Sequence, residues 1–141
     1  MTIIRMSKGL RVLGFGAVSL IAVATAALAA DLSKEAATAG QHAGMAAGAT
    51  DLKTVETHLH MTINCLVGPK GKGFDAQVAN PCKDLGNGAL TENTTPANKK
   101  LLKQALAKAE TGAATSDLAK AKSDAKAAQK SAGVCSVLLV R

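Results

Sequence analysis

The chain has 141 residues with a net charge of +7, two phenylalanines, and neither tyrosine nor tryptophan. A chain this poor in aromatics lacks the large side chains of an ordinary core and the stacking platforms that nucleic-acid bases need. Its alanine-rich, charge-laced composition, with few β-branched residues outside the C-terminal stretch, favours helix, and the expected fold class is all-α.

Residues 1–29 read as a signal peptide. Arg5, Lys8 and Arg11 precede an uncharged stretch from Val12 that ends in Ala27-Leu28-Ala29, the small residues a signal peptidase requires. Cleavage is expected after Ala29, and the alternative is a retained anchor over Val12 to Ala30, just long enough to reach across a bilayer. Export places the mature chain, residues 30–141, in the periplasm or outside the cell, with no membrane span once the leader is removed. Three basic and no acidic groups leave with residues 1–29, so the net charge falls to +4. The partners this suggests are an envelope protein or an anionic surface component, and nucleic acid is excluded.

The first mature element is a helix over about 32–47, with Leu32, Ala36, Ala39, Ala43 and Ala46 on one face. Gly40, Gly44 and Gly48 form a second ridge of that helix, and with no large side chain evident to fill it, a loose spot is expected there. Thr50-Asp51 caps a second helix over about 51–66, striped by Leu52, Val55, Leu59, Ile63 and Leu66.

Residues 67–95, rich in Gly, Pro and Asn, are too long for a mere connection and predict a compact loop anchored by Phe74. Gly68-Pro-Lys-Gly-Lys-Gly73 within it lacks the Lys-Ser/Thr pair of a phosphate loop and follows no strand.

Thr95-Pro96 opens a third helix over about 96–112, with Leu102, Leu106, Ala109 and Ala113 on one face. A fourth, over about 116–132, carries Leu118, Ala121, Ala125, Ala128 and Ala132 and should stop at Gly133. Gly48-Ala49-Thr50-Asp51-Leu52 is echoed by Gly112 to Leu118, a weak sign of duplication. The sum is two antiparallel helical hairpins, a four-helix up-and-down bundle with a long loop.

Cys65, Cys82 and Cys135 all lie in the exported part, where oxidation is expected. In such a bundle all three fall at one pole and any pair is sterically open. Cys65–Cys82 is preferred, because it clips the long loop to the bundle at a length where cross-linking contributes about 3 kcal/mol. Cys135 is then unpaired, buried beside its apolar neighbours, or a link between two chains of a homodimer.

The imidazoles are His42, His58 and His60. His58 and His60, two apart, cannot share a helix face. Folding the first hairpin about Ala49 and Thr50 sets His42 opposite residue 57, within reach of His58. A copper or zinc site on His42 and His58, with Met45, Met61 or Glu56 as further donors, is the sharpest chemical expectation. Covalent haem attachment is excluded by the Cys spacing, no acid/base pair or nucleophile is set up, and a non-enzymatic binding or structural role in the bacterial envelope is expected, with transition-metal binding as its alternative.

His58-Leu-His60, Asn64-Cys65-Leu66, Gly68-Pro69, Asn80-Pro81-Cys82 and Gly86-Asn87-Gly88-Ala89 resemble small exported alanine-rich helical bacterial proteins of unassigned function. The hairpin plan more loosely looks like the small periplasmic metal-binding protein family, helical bundles studded with His. The second hairpin here has no His, so only the His42/His58 region carries that likeness.

Overall fold

The computed structural model describes residues 21–93 and 95–141, with side chains from Asp31 onward. All regular structure among them is helical: α1 Ile21–Gly48, α2 Leu52–Val67, α3 Ala89–Glu92, α4 Pro96–Ala113 and α5 Leu118–Leu138. The basic start of the expected leader and most of its apolar stretch lie outside the described residues. α1 begins well ahead of Leu32, since residues 21–31 are mostly Ala with no Gly or Pro to interrupt them.

Caps explain the turns. Asp51 accepts from the Thr54 N–H at 2.9 Å and Asp117 from the Lys120 N–H at 2.9 Å, so the echoed sequence performs the same task at the start of α2 and of α5. The Thr54 N–H and hydroxyl hold the Asp51 carboxyl below the usual carboxylate range. Pro96 starts α4, where its missing N–H leaves no orphan.

α1 packs chiefly on α5 and α2, and α4 on α5 and α2, a pattern compatible with a four-helix bundle. The seams are small residues. Ala36, Ala39, Ala43 and Ala46 of α1 and Ala121, Ala125, Ala128, Ala132 and Cys135 of α5 are all fully buried, at alternating steps of three and four. The larger core side chains come from α2 and α4: Val55, Leu59, Ile63, Leu66 and Leu102.

Three expectations need correcting. The glycine ridge of α1 is a close contact at two of its three positions, a Cβ at Gly40 meeting the Gly133 backbone at 3.5 Å and the Gln129 amide lying over Gly44, while Gly48 faces open space. α5 runs through Gly133 to Leu138, because Ala132 and Cys135 continue its buried face past the glycine. Residues 67–95 contain one helical turn, α3, and are organised from beneath by Asn64. Its fully buried amide accepts from the Asp75 N–H at 2.8 Å and donates to the Asp75 carbonyl at 2.9 Å. Phe74, the expected anchor, packs only partly buried against the core.

The Cys65–Cys82 disulfide is present, with a sequence separation of 17. Beside it Gly68 and Gly88, at φ 71° and 110°, cross so closely that a Cβ on either would overlap the other strand's backbone. Cys135 is fully buried, its Sγ 3.8 Å from the Asn98 carbonyl, which joins the end of α5 to the start of α4.

Two substitutions test this packing. Ala128→Leu should destabilise by about 1–3 kcal/mol through overpacking, and Cys82→Ala by about 3 kcal/mol through the freed loop. Urea unfolding followed by circular dichroism reads both.

Candidate functional site

The turn between α1 and α2 sets a register in which residues across the hairpin add to about 100, as seen where the Thr62 hydroxyl donates to the Ala39 carbonyl at 3.2 Å. His42 and His58 meet in that register. Their Nδ1 atoms are 3.2 Å apart, the ring centroids 5.4 Å, and the planes tilted by 30°. Ala39 and Ala43 beneath them are fully buried, so the helices come close enough for two half-buried rings to touch.

Burial, and secondarily His58, holds His42 below the usual imidazole range. Near neutral pH it therefore stays uncharged, and a single proton between the facing nitrogens satisfies both. A metal could take that position only with both protons on Nε2. With metal–nitrogen bonds of about 2.0–2.1 Å, nitrogens 3.2 Å apart subtend an angle of about 100°, between the square-planar and tetrahedral values.

Met45 stands one turn from His42 and is 53% exposed; Met61 stands one turn from His58, half-buried. Glu56 lies instead with His60, its Oε1 3.9 Å from His60 Nε2, while Asp75 Oδ2 is 3.5 Å from His60 Nδ1. No cluster of three His, Cys, Asp or Glu fit to hold a metal occurs among the described residues. Beyond the two imidazoles, donors would be thioether sulfur or water. Cys135 offers nothing here, since burial pushes its thiol up to about 11 and keeps it protonated.

Two acidic residues are buried. Asp124 joins α5 to α4 through Lys108 at 3.0 Å and pairs with Lys120 one turn earlier on α5 at 2.5 Å, and the Lys120 ammonium, followed by that of Lys108, holds its carboxyl low. Glu35 is fully buried. Its Oε1 accepts from the Gly88 N–H at 3.0 Å, and its Oε2 has no partner among the described residues. The Glu92 carboxylate, held by the Asn87 N–H at 2.7 Å, closes on the same spot: a Cβ at Gly86 would stand 2.8 Å from an oxygen of each carboxyl. Glu35 lies one turn before Ala39 on the apolar face, where the folded loop encloses it.

Comparison of the chain with protein-family models, with curated proteins and with solved structures returned no match.

Burial, then Glu92 and Asp31, pushes the Glu35 carboxyl up to about 7, against the pull of the Gly88 N–H. Between 4.5 and that value the folded chain keeps a proton the unfolded chain has lost, so this group makes stability fall as pH rises. His42 has the opposite slope, its folded form resisting protonation as pH falls. The difference between Glu35→Gln and the parent isolates the carboxyl. The variant should match the parent near pH 5 and gain stability toward pH 8, on the order of 3 kcal/mol at most, as read by urea unfolding across that range.

Proposed function

We propose that this is an exported, non-enzymatic binding protein of the bacterial envelope, a four-helix up-and-down bundle whose binding centre is the His42/His58 pair and whose ligand is copper or zinc. One observation carries the reading: two imidazoles from different helices face each other through Nδ1 at 3.2 Å. Two such donors with a preset bite suit a borderline divalent ion, and the exposed Met45 thioether one turn away adds a soft donor suited to copper. The likeness to helical periplasmic metal-binding proteins agrees with this, for the first hairpin alone. The expected leader and the Cys65–Cys82 bond fit an oxidising compartment.

Calorimetric titration with Cu(II) and with Zn(II) should show one equivalent bound. His42→Ala and His58→Ala should each weaken it at least about tenfold, or 1.4 kcal/mol, and His60→Ala should leave it unchanged. Absence of saturable binding, or binding indifferent to both substitutions, would overturn the metal reading and leave a structural or partner-binding role, with the ordered loop 68–88 as the surface to examine.

A further inference from the structure

A second surface lies away from the histidine pair. Among the described residues the exposed large apolar side chains are Met45 and four within one short stretch: Val134 at 43%, Val137 at 51%, Leu138 at 45% and Val140 at 67%. On α5, Lys122, Lys126 and Lys130 recur at steps of four, and the next positions on that ridge are Val134 and Leu138. The Cys135–Asn98 contact brings the start of α4 beside this end, with Lys99, Lys100 and Lys103 around a shallow groove floored by Pro96 and Ala107.

Neither helix puts an acid on this end. α4 has none before Glu110 and α5 none after Asp124, while Arg141 follows the valines. The acids of neighbouring segments are engaged: Asp31 with Lys34 at 3.6 Å, Asp84 with Lys83 at 3.9 Å, Glu92 with Asn87, and Glu35 buried. Positive charge beside exposed Val and Leu is the pattern of an interfacial membrane contact, in which lysines meet anionic headgroups and apolar tips enter the acyl boundary. A soluble polyanion would use the lysines and leave the valines in water. No helix among the described residues is long and apolar enough to cross a membrane, so the contact is peripheral. The Ser33 hydroxyl donates to the Ser136 carbonyl at 3.0 Å, so the chain arriving from the leader emerges at this same pole.

We propose that the pole formed by the end of α5 and the start of α4 docks the protein on an anionic phospholipid surface. The test uses protein recovered from the exporting cell, with its N terminus identified by mass spectrometry, in sedimentation with vesicles of phosphatidylcholine alone or mixed with phosphatidylglycerol. Binding is expected to the mixed vesicles only and to weaken with salt. It should fall at least about tenfold in Val137→Asp/Val140→Asp and in Lys99→Glu/Lys103→Glu, with helical dichroism unchanged, and be indifferent to His42→Ala. Three results would overturn the proposal: no binding to mixed vesicles, equal binding to both kinds, or binding that the valine substitutions leave intact. The last, with equal retention on polyphosphate, would assign the lysines to a polymer, and with a retained leader would assign the binding to that leader.

Discussion

Helices faced with alanine and glycine can bury their seams only by approaching more closely than helices faced with leucine, and most features of this protein follow from that approach. The α1–α5 contact at Gly40, Gly133 and Ala132 has backbone against backbone. The α1–α2 contact is close enough for a threonine hydroxyl on one helix to reach a carbonyl of the other. Each alanine removes little apolar area from water, so the seam relies on dispersion between well-packed atoms, which fades over fractions of an ångström. Small residues inside also leave larger ones to spare, and several valines and leucines of α5 end up outside.

The same approach creates the polar features. Side chains at the edge of a narrow seam are forced together, which is how His42 and His58 come into contact. Glu35, on the inner face where an alanine would be expected, is enclosed by the loop that the disulfide draws down over it. The enclosure has several supports: the Cys65–Cys82 bond, the Asn64 amide under Asp75, and the crossing of Gly68 with Gly88. Glu35 contributes one hydrogen bond to the Gly88 N–H, at the cost of desolvating a carboxyl.

Legibility in the sequence divided along a physical line. Features governed by local chemistry were readable: the alanine stripes, the Asp51 cap, Pro96 at the start of α4, and the turn that brings His42 to His58. The Cys65–Cys82 pairing followed from loop length. Features set by what a distant segment supplies were not. Gly133 looks like a stop until Cys135 is seen buried against Asn98, and Gly40 and Gly44 look like defects until the Gly133 backbone and Gln129 cover them. Glu35 and Asn64 belong to the same class, since only the folded loop turns a polar side chain on an apolar face into a tether. Nor does the Lys–Asp alternation of α5 reveal that Lys108 of another helix completes the Asp124 pair.

The two titrating centres lie on one helix, two turns apart, and respond to acid in opposite senses. Seven residues of helix separate His42 from Glu35, about 10 Å along α1. Protons added below neutrality compete with a metal for the imidazole nitrogens, while at Glu35 they remove a buried charge and favour the closed loop. A fall in pH would therefore release an ion held at the proposed His42/His58 centre and tighten the other end of the same hairpin. Between the two sites, Thr62 donates to carbonyls on both α1 and α2 and fixes their relative height. Any displacement of α1 against α2 that accommodates a metal at His42 is opposed at that hydroxyl before it reaches the loop. A hairpin held in this way keeps the imidazole spacing set, and at the proposed metal centre that bite and the Met45 thioether would together bias the choice of ion.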